Sequence, residues 1–387
     1  MTILKTQNAE MKVFELSALS MLEARDFQVM DVPILQNVDV ILDTIGERAR
    51  SELFFVESSN PEQNALRYDF TLAMARHYLR NIYPMADKAS EYRYAAHGTV
   101  FRNRDRMQTD KKSEVRQISF EYIGNDARTN TDAECLAQSL SLLDGIDKKY
   151  LQIGIADIRL SRAVLSNDFI PPIKAGRLKS ALRHPKKFMS LLSDTGDKKL
   201  DSLSSLGKLQ HEEAEKVITD IFQMTGLKHS GLRTMDEISS RFVKKAEEAQ
   251  EPPLDQDIAQ HLSLFYNLEC PAAEAADKMR HIMASAGINI DGYLQYFERR
   301  IDLLKSHGVD IAMLNYGPLL KRKPEYYSGF MFAIDFVSGK RGLPIGGGGR
   351  YDDLFLALGA GEAIPAVGCE LRPEEIVRLS ALAPHEP

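Results

Sequence analysis

The run Phe330-Met331-Phe332-Ala333-Ile334-Asp335-Phe336 constrains the fold more than any other stretch. It reads as a buried strand. A charged segment with paired tyrosines, Arg322 to Tyr327, and a turn at Ser328-Gly329 lead into it. A loop containing Gly339 and Gly342 leads out, to four glycines, Gly346 to Gly349, and then Arg350-Tyr351-Asp352-Asp353. Glycines carry no Cβ, so a strand that breaks into four of them can press its backbone against a ligand. The same four glycines fit a flexible hairpin loop. No Gly-Lys-Ser/Thr follows, which excludes a P-loop.

A chain of 387 residues with 44% hydrophobic and 27% charged residues has room for two or three domains, or for one large core with an insertion. The net charge of −6 argues against nucleic acid as a main partner, because nucleic-acid binding calls for a basic face. Cys135, Cys270 and Cys369 are widely spaced with no CxxC, so neither a disulfide framework nor a zinc site is expected. His211, His229, His261 and His281 lack metal-ligand spacing, and no metal or cofactor is expected. The first residues, MTILKTQNAEMKVFELSAL, lack the pattern of a signal peptide. No run of about 18 apolar residues could span a bilayer. The expected location is therefore cytoplasmic, with no membrane partner.

Taken in order, residues 9–24 predict an amphipathic helix with Met11, Phe14, Leu16, Leu19 and Leu22 on its apolar face. Phe27 to Leu35 reads as extended, with Pro33 placing it near a sheet edge. Leu53 to Val56 is a short strand. Leu66-Arg67-Tyr68-Asp69-Phe70-Thr71 runs into a helix ending near Arg80, where Asp69 or Thr71 would cap free N–H groups. Val115 to Gly124 reads as a strand with Gln117 and Glu121 on one face and Ile118, Phe120 and Tyr122 on the other. A polar pair on an otherwise apolar strand is exposed or binds something, since unpaired burial is costly. Thr131-Asp132-Ala133-Glu134 reads as a capped helix start, with the helix running to about Leu143, and Tyr150 to Ile155 as a strand. Pro171-Pro172 marks a boundary. Beyond it the pattern is mostly helical, with candidates at Glu212–Thr225, Leu254–Phe265, Ala272–Ala286 and Gly292–His307.

Arg-x-x-Glu-Tyr-Tyr-Ser-Gly followed by Gly-Gly-Gly-Gly-Arg-Tyr-Asp resembles the histidine-specific signature of class II histidyl-tRNA synthetases and their paralogues. Gly98-Thr99-Val100-Phe101-Arg102 resembles class II motif 2, and Ile364 to Glu375 lies where motif 3 belongs. The resemblance covers roughly residues 9–165 and 310–380. It implies an α+β fold: a mixed, mainly antiparallel sheet flanked by helices. The implied division is a first part of the core at 1–170, a helical insertion at 171–308 and a second part of the core at 309–387. It also implies a histidine pocket of Asp69, Gln117, Glu121, Arg322, Tyr326, Tyr327 and Tyr351, with Arg102 gripping the α-phosphate of ATP.

Two departures bear on which kind of family member this is. Where a synthetase places an acid after the motif 2 arginine stands Arg104, and Glu375 is expected where motif 3 carries an arginine, although Arg372, one helical turn back, could substitute. No segment after motif 3 reads as an anticodon-binding domain. A histidine pocket with an altered, vestigial nucleotide site resembles the regulatory-subunit family of ATP phosphoribosyltransferase. That resemblance implies a non-catalytic partner of the short-form catalytic subunit in the first step of histidine biosynthesis. It further implies L-histidine as feedback effector and a hetero-octamer built on homodimers. Two other readings stand beside it. One is a truncated enzyme that adenylates histidine or a related amino acid for a non-tRNA acceptor, which ATP–pyrophosphate exchange would separate from a regulator. The other is a structural or RNA-binding paralogue, which the acidic net charge opposes.

Overall fold

The computed structural model describes residues 2–57, 63–85, 90–103, 112–182, 184–193, 216–217, 220, 251–320, 326–338 and 341–380. Among these residues twelve strands are formed: β1 Gln28–Val29, β2 Leu35–Asn37, β3 Phe55–Val56, β4 Asn64–Leu66, β5 Tyr92–Phe101, β6 Glu114–Ile123, β7 Leu151–Asp157, β8 Cys270–Pro271, β9 Leu314–Tyr316, β10 Phe330–Ser338, β11 Arg341–Arg350 and β12 Ala366–Leu371. Nine of them make one sheet in the order β1-β5-β6-β12-β11-β10-β7-β9-β8, and β2-β4-β3 make a small second one. Only β1·β5 and β7·β9 pair in parallel, so the sheets are mixed and mainly antiparallel. The helices that flank them in the first half of the chain are α1 Thr2–Glu23, α2 Val38–Ile45, α3 Thr71–His77 and α4 Arg128–Ser141. This is the α+β architecture expected from the sequence.

The apolar run at Phe330 forms β10, in the middle of the sheet, where alternate residues on both faces are covered. The glycine run differs from both expectations. Gly346 to Gly349 neither break the strand nor form a hairpin loop; they belong to β11 and pair with β10 on one side and β12 on the other. The weak strand propensity of glycine is overridden because the neighbouring backbones come too close for side chains. A Cβ at Gly348 would overlap the carbonyl oxygen of Gly368, and one at Gly368 would overlap the Glu121 carboxylate.

Chain contacts define two compact units, one of residues 1–161, 267–281 and 290–387, the other of residues 162–266 and 282–289. The sequence division at 171 and 308 drew these lines elsewhere: the helix Asp291–Ser306 lies in the first unit, packed against α4. In the second unit the helices Pro172–Ala181, Pro185–Ser193 and Gln256–Tyr266 gather around Phe188, which meets Tyr266 at a ring distance of 4.4 Å. Glu251 covers the free N-terminus of the first of these helices by accepting the N–H groups of Ile173 and Lys174. The expected helix Glu212–Thr225 lies almost wholly outside the described residues.

Two local expectations are corrected. α1 starts at Thr2 rather than near Ala9, and Leu16 is 66% exposed, whereas Leu19 and Leu22 are buried. α4 starts at Arg128, and no side chain caps it. Thr131 and Asp132 do not cap a helix because both are buried and turned to arginines. Arg350 donates to Thr131 and, with Arg300, to Asp132. Arg300 also bonds Asp157 at 3.0 Å, and Arg350 bonds Asp352 at 3.0 Å. This buried ionic network ties α4, β7, the helix Asp291–Ser306 and the end of β11 together.

Candidate functional site

The cavity lies against β6 and β12, close to the start of α3. Its empty space of about 320 Å³ includes room open to solvent, and the enclosed part is small. That is room for about one water. Seven of the nine residues that the sequence assigned to the histidine pocket or the nucleotide site line it: Asp69, Arg102, Gln117, Glu121, Tyr326, Tyr327 and Tyr351. Arg322, like Arg104, lies outside the described residues.

β6 presents Gln117 and Glu121 on one face, as the period of two requires, and both are buried. Glu121 accepts the Thr71 hydroxyl at 2.5 Å on one oxygen and the Tyr351 hydroxyl at 2.7 Å on the other. Burial pushes its carboxyl up to about 8; Thr71 and Tyr351 pull it down, and Asp69 and Glu370 add to the rise. Asp69 caps the helix start and also lines the cavity. One oxygen accepts the Leu72 N–H at 3.0 Å at the helix start, and the other meets the Tyr326 hydroxyl at 3.4 Å beside the cavity. Burial raises its carboxyl too, against the pull of the Leu72 N–H and Arg102. Tyr326 packs edge-on against Tyr327 and Tyr351, with ring centroids 5.4 and 5.7 Å apart. Burial holds the Tyr326 and Tyr351 hydroxyls well above the usual tyrosine range, so both stay donors.

Glu375 does not line this cavity. It lies on the helix Pro373–Ser380, and its carboxylate is bonded to Arg378 one turn on. The acid that faces Arg102 is Glu370, the fifth residue of β12. Its carboxylate takes the Gln117 amide as donor, stands 3.9 Å from the Arg102 guanidinium and is reached by Arg372 at 3.3 Å. Sequence reading placed the acid on the helix because it matched motif 3 as a whole. The available signal was narrower: Glu370 is the lone charge in the strand Ala366-Val367-Gly368-Cys369-Glu370-Leu371. Arg102 is buried, stacked 4.8 Å over the Tyr68 ring and donating to the Tyr68 carbonyl. Burial disfavours its charge, but Glu370, Tyr68 and Asp69 outweigh that and raise its pKa.

The chemistry offered is acceptance. The Gln117 carbonyl oxygen is buried with no hydrogen-bond partner. Asp69 and Glu121 are held by hydroxyls and one backbone N–H, with no cation within bonding distance among the described residues. A ligand that brings N–H groups or an ammonium would satisfy all three. Among the described residues no three His, Cys, Asp or Glu side chains gather as metal ligands, and Cys135, Cys270 and Cys369 are buried and form no disulfide. Among these residues no helix is long and apolar enough to cross a membrane.

A sequence model described as histidyl-tRNA synthetase matches residues 2–240 and 215–376. The chain belongs to the histidyl-tRNA synthetase family. Within reach of that family, it is similar to proteins named ATP phosphoribosyltransferase regulatory subunit. The one from Sinorhizobium medicae is 29% identical over 359 residues, which is 90% of this chain and 92% of the relative. The one from Brucella canis is 29% identical over 374 residues, covering 94% and 95%. Solved structures share the histidyl-tRNA synthetase fold. A Bacillus halodurans protein described as an ATP phosphoribosyltransferase regulatory subunit/histidyl-tRNA synthetase superposes with a TM-score of 0.65 at 18% identity, over 98% of this chain and 80% of its own. A histidyl-tRNA synthetase from Nostoc gives 0.63 at 15%, over 97% and 73%.

Proposed function

We propose that this chain is the regulatory subunit of an ATP phosphoribosyltransferase, itself non-catalytic, which takes up L-histidine and passes that signal to the short-form catalytic subunit in the first step of histidine biosynthesis. The observation that carries the reading is the acceptor-lined cavity. An amino acid with an imidazole brings an ammonium and a ring N–H to Asp69, Glu121 and the unpaired Gln117 oxygen. Tyr326, Tyr327 and Tyr351 would wall the ring, and Arg322 would hold the carboxylate. Relatives that bear the regulatory-subunit name over nine-tenths of both chains support it. Arg102, which in a synthetase would hold the nucleotide, is already engaged by Glu370, and the altered grip favours regulation over adenylation.

The proposed assembly is a homodimer that joins the catalytic subunit in a hetero-octamer, in the cytoplasm. Light scattering of a mixture with a short-form catalytic subunit is expected to show a mass well above either component. Two unshifted peaks at micromolar concentration would remove the partner assignment.

The effector half of the proposal is tested at Glu121. Removing a buried charged partner costs about 2–5 kcal/mol, so Glu121→Ala is expected to weaken histidine binding at least about thirtyfold. Glu121 sits inside the sheet face, so assembly is expected to survive. A mutant complex inhibited by histidine at wild-type concentrations would place the effector site elsewhere.

A further inference from the structure

The charges in the cavity do not balance. Three carboxyl groups, Asp69, Glu121 and Glu370, face it with one guanidinium, that of Arg102, among the described residues. Arg102 and Arg372 both lean on Glu370, so Glu370 has its counter-charge. Asp69 feels Arg102 without being bonded to it, and Glu121 has no cation beside it among the described residues. Among the described residues Glu121 is bonded by neutral groups, Thr71 from α3 and Tyr351 after β11, with Asp69 just before α3, and the cation that lines the same cavity, Arg102, is engaged by Glu370. Glu370 stands on β12, Cys135 on α4, Tyr326 in the wall, and Tyr94 directly opposite on β5. Two buried carboxyls that share one dry space do not both stay ionised. The group that keeps the proton is Glu121, whose own partners are two hydroxyls that can receive or donate.

We propose that ligand uptake at this site is an exchange of cations, in which the Glu121 carboxyl releases its proton to solvent as an ammonium or imidazole N–H group enters between Glu121 and Asp69. The inference rests on reading the cavity as an amino-acid effector site. One O–H bond breaks at Glu121, the carboxylate keeps the electron pair, and the ligand's positive charge replaces that of the proton. No oxidant or further reactant is involved. Affinity is then linked to pH. Where Glu121 is neutral in the empty site and ionised in the complex, each unit of pH raises affinity by up to about tenfold. The gain levels off above about pH 8, where Glu121 is ionised before the ligand arrives.

The test is calorimetric titration of L-histidine into the full chain, in phosphate and in Tris, which differ in ionisation enthalpy and so report protons released. Wild type and Glu121→Gln are compared. The glutamine variant has no proton to give, while any proton exchanged by histidine's own imidazole is common to both. With a carboxyl at about 8, wild type is expected to release about 0.9 proton more than the variant at pH 7, and about 0.1 more at pH 9. Should the variant bind too weakly to titrate, infrared difference spectra of wild type with and without histidine serve instead, the protonated-carboxyl band disappearing on binding. Equal proton counts, or an unchanged carboxyl band, overturn this inference and leave the effector reading standing. Absence of histidine binding in wild type overturns both.

Discussion

Asp132→Ala is expected to cost about 3–5 kcal/mol of stability in urea unfolding, because it strips the counter-charge from two buried arginines at once. One Asp132 oxygen takes Arg350 at 2.7 Å, and the other takes Arg300 at 3.0 Å. Both arginines are buried, at 1% and 5% exposure, so water cannot replace the lost partner. Asp157 holds one nitrogen of Arg300, and Asp352, whose other oxygen is shared by Arg128 and Arg159, holds one nitrogen of Arg350, so neither replaces both bonds to Asp132. The comparison is Asp291→Ala at the Arg280 cluster, where the same types of side chain pair at the surface. Exposed pairs of that kind contribute little. If the two variants unfold at the same urea concentration as wild type, the buried network holds nothing together.

Glu121→Gln is expected to flatten the pH dependence of stability between about pH 5 and 8, measured by urea unfolding at each pH. The carboxyl lies at about 8 in the folded chain against an ordinary 4.5. Folding therefore favours the protonated form. Below pH 4.5 both states are protonated and the native contacts of the neutral carboxyl count in full. As pH rises toward 8 the unfolded chain gains the freedom to ionise that the folded chain lacks, and stability falls. A shift of this size corresponds to a loss on the order of 5 kcal/mol over that window. Glutamine keeps the shape and cannot ionise, so the difference between variant and wild type isolates this one group. Parallel profiles would mean that Glu121 is ionised in the empty cavity. The same burial that makes the site costly to hold empty at neutral pH makes it receptive to a cation, a trade of stability for function.

Much of the cavity was legible in the sequence for one reason: Gln117 and Glu121 are polar residues on a strand that otherwise asks to be buried. Asp69 was legible as an acid at a helix start, and capping that helix leaves its second oxygen beside the cavity. Glu370 carried the same signal as Glu121, a lone acid in an apolar strand, and was passed over in favour of Glu375, which a family motif pointed to. The Asp132 network was not legible at all. Arg300 lies 168 positions from Asp132 and Arg350 lies 218, and no local pattern announces pairs that only the tertiary fold brings together. The glycine run misled in the opposite direction. Read locally, four glycines leave a strand; in the sheet, the closeness of β12 is what requires them.

That closeness also bears on how sequences descended from this one can diverge. The residues around the cavity can be exchanged singly, each with a local repair, so a lineage can retune the ligand through Asp69, Gln117 or Tyr351. Positions 348 and 368 have no such freedom. A methyl group at either collides with the opposite backbone or with the Glu121 carboxylate, and relief would require β11 and β12 to part together with every hydrogen bond between them. Drift is thus channelled into the walls of the cavity, while its floor is inherited whole.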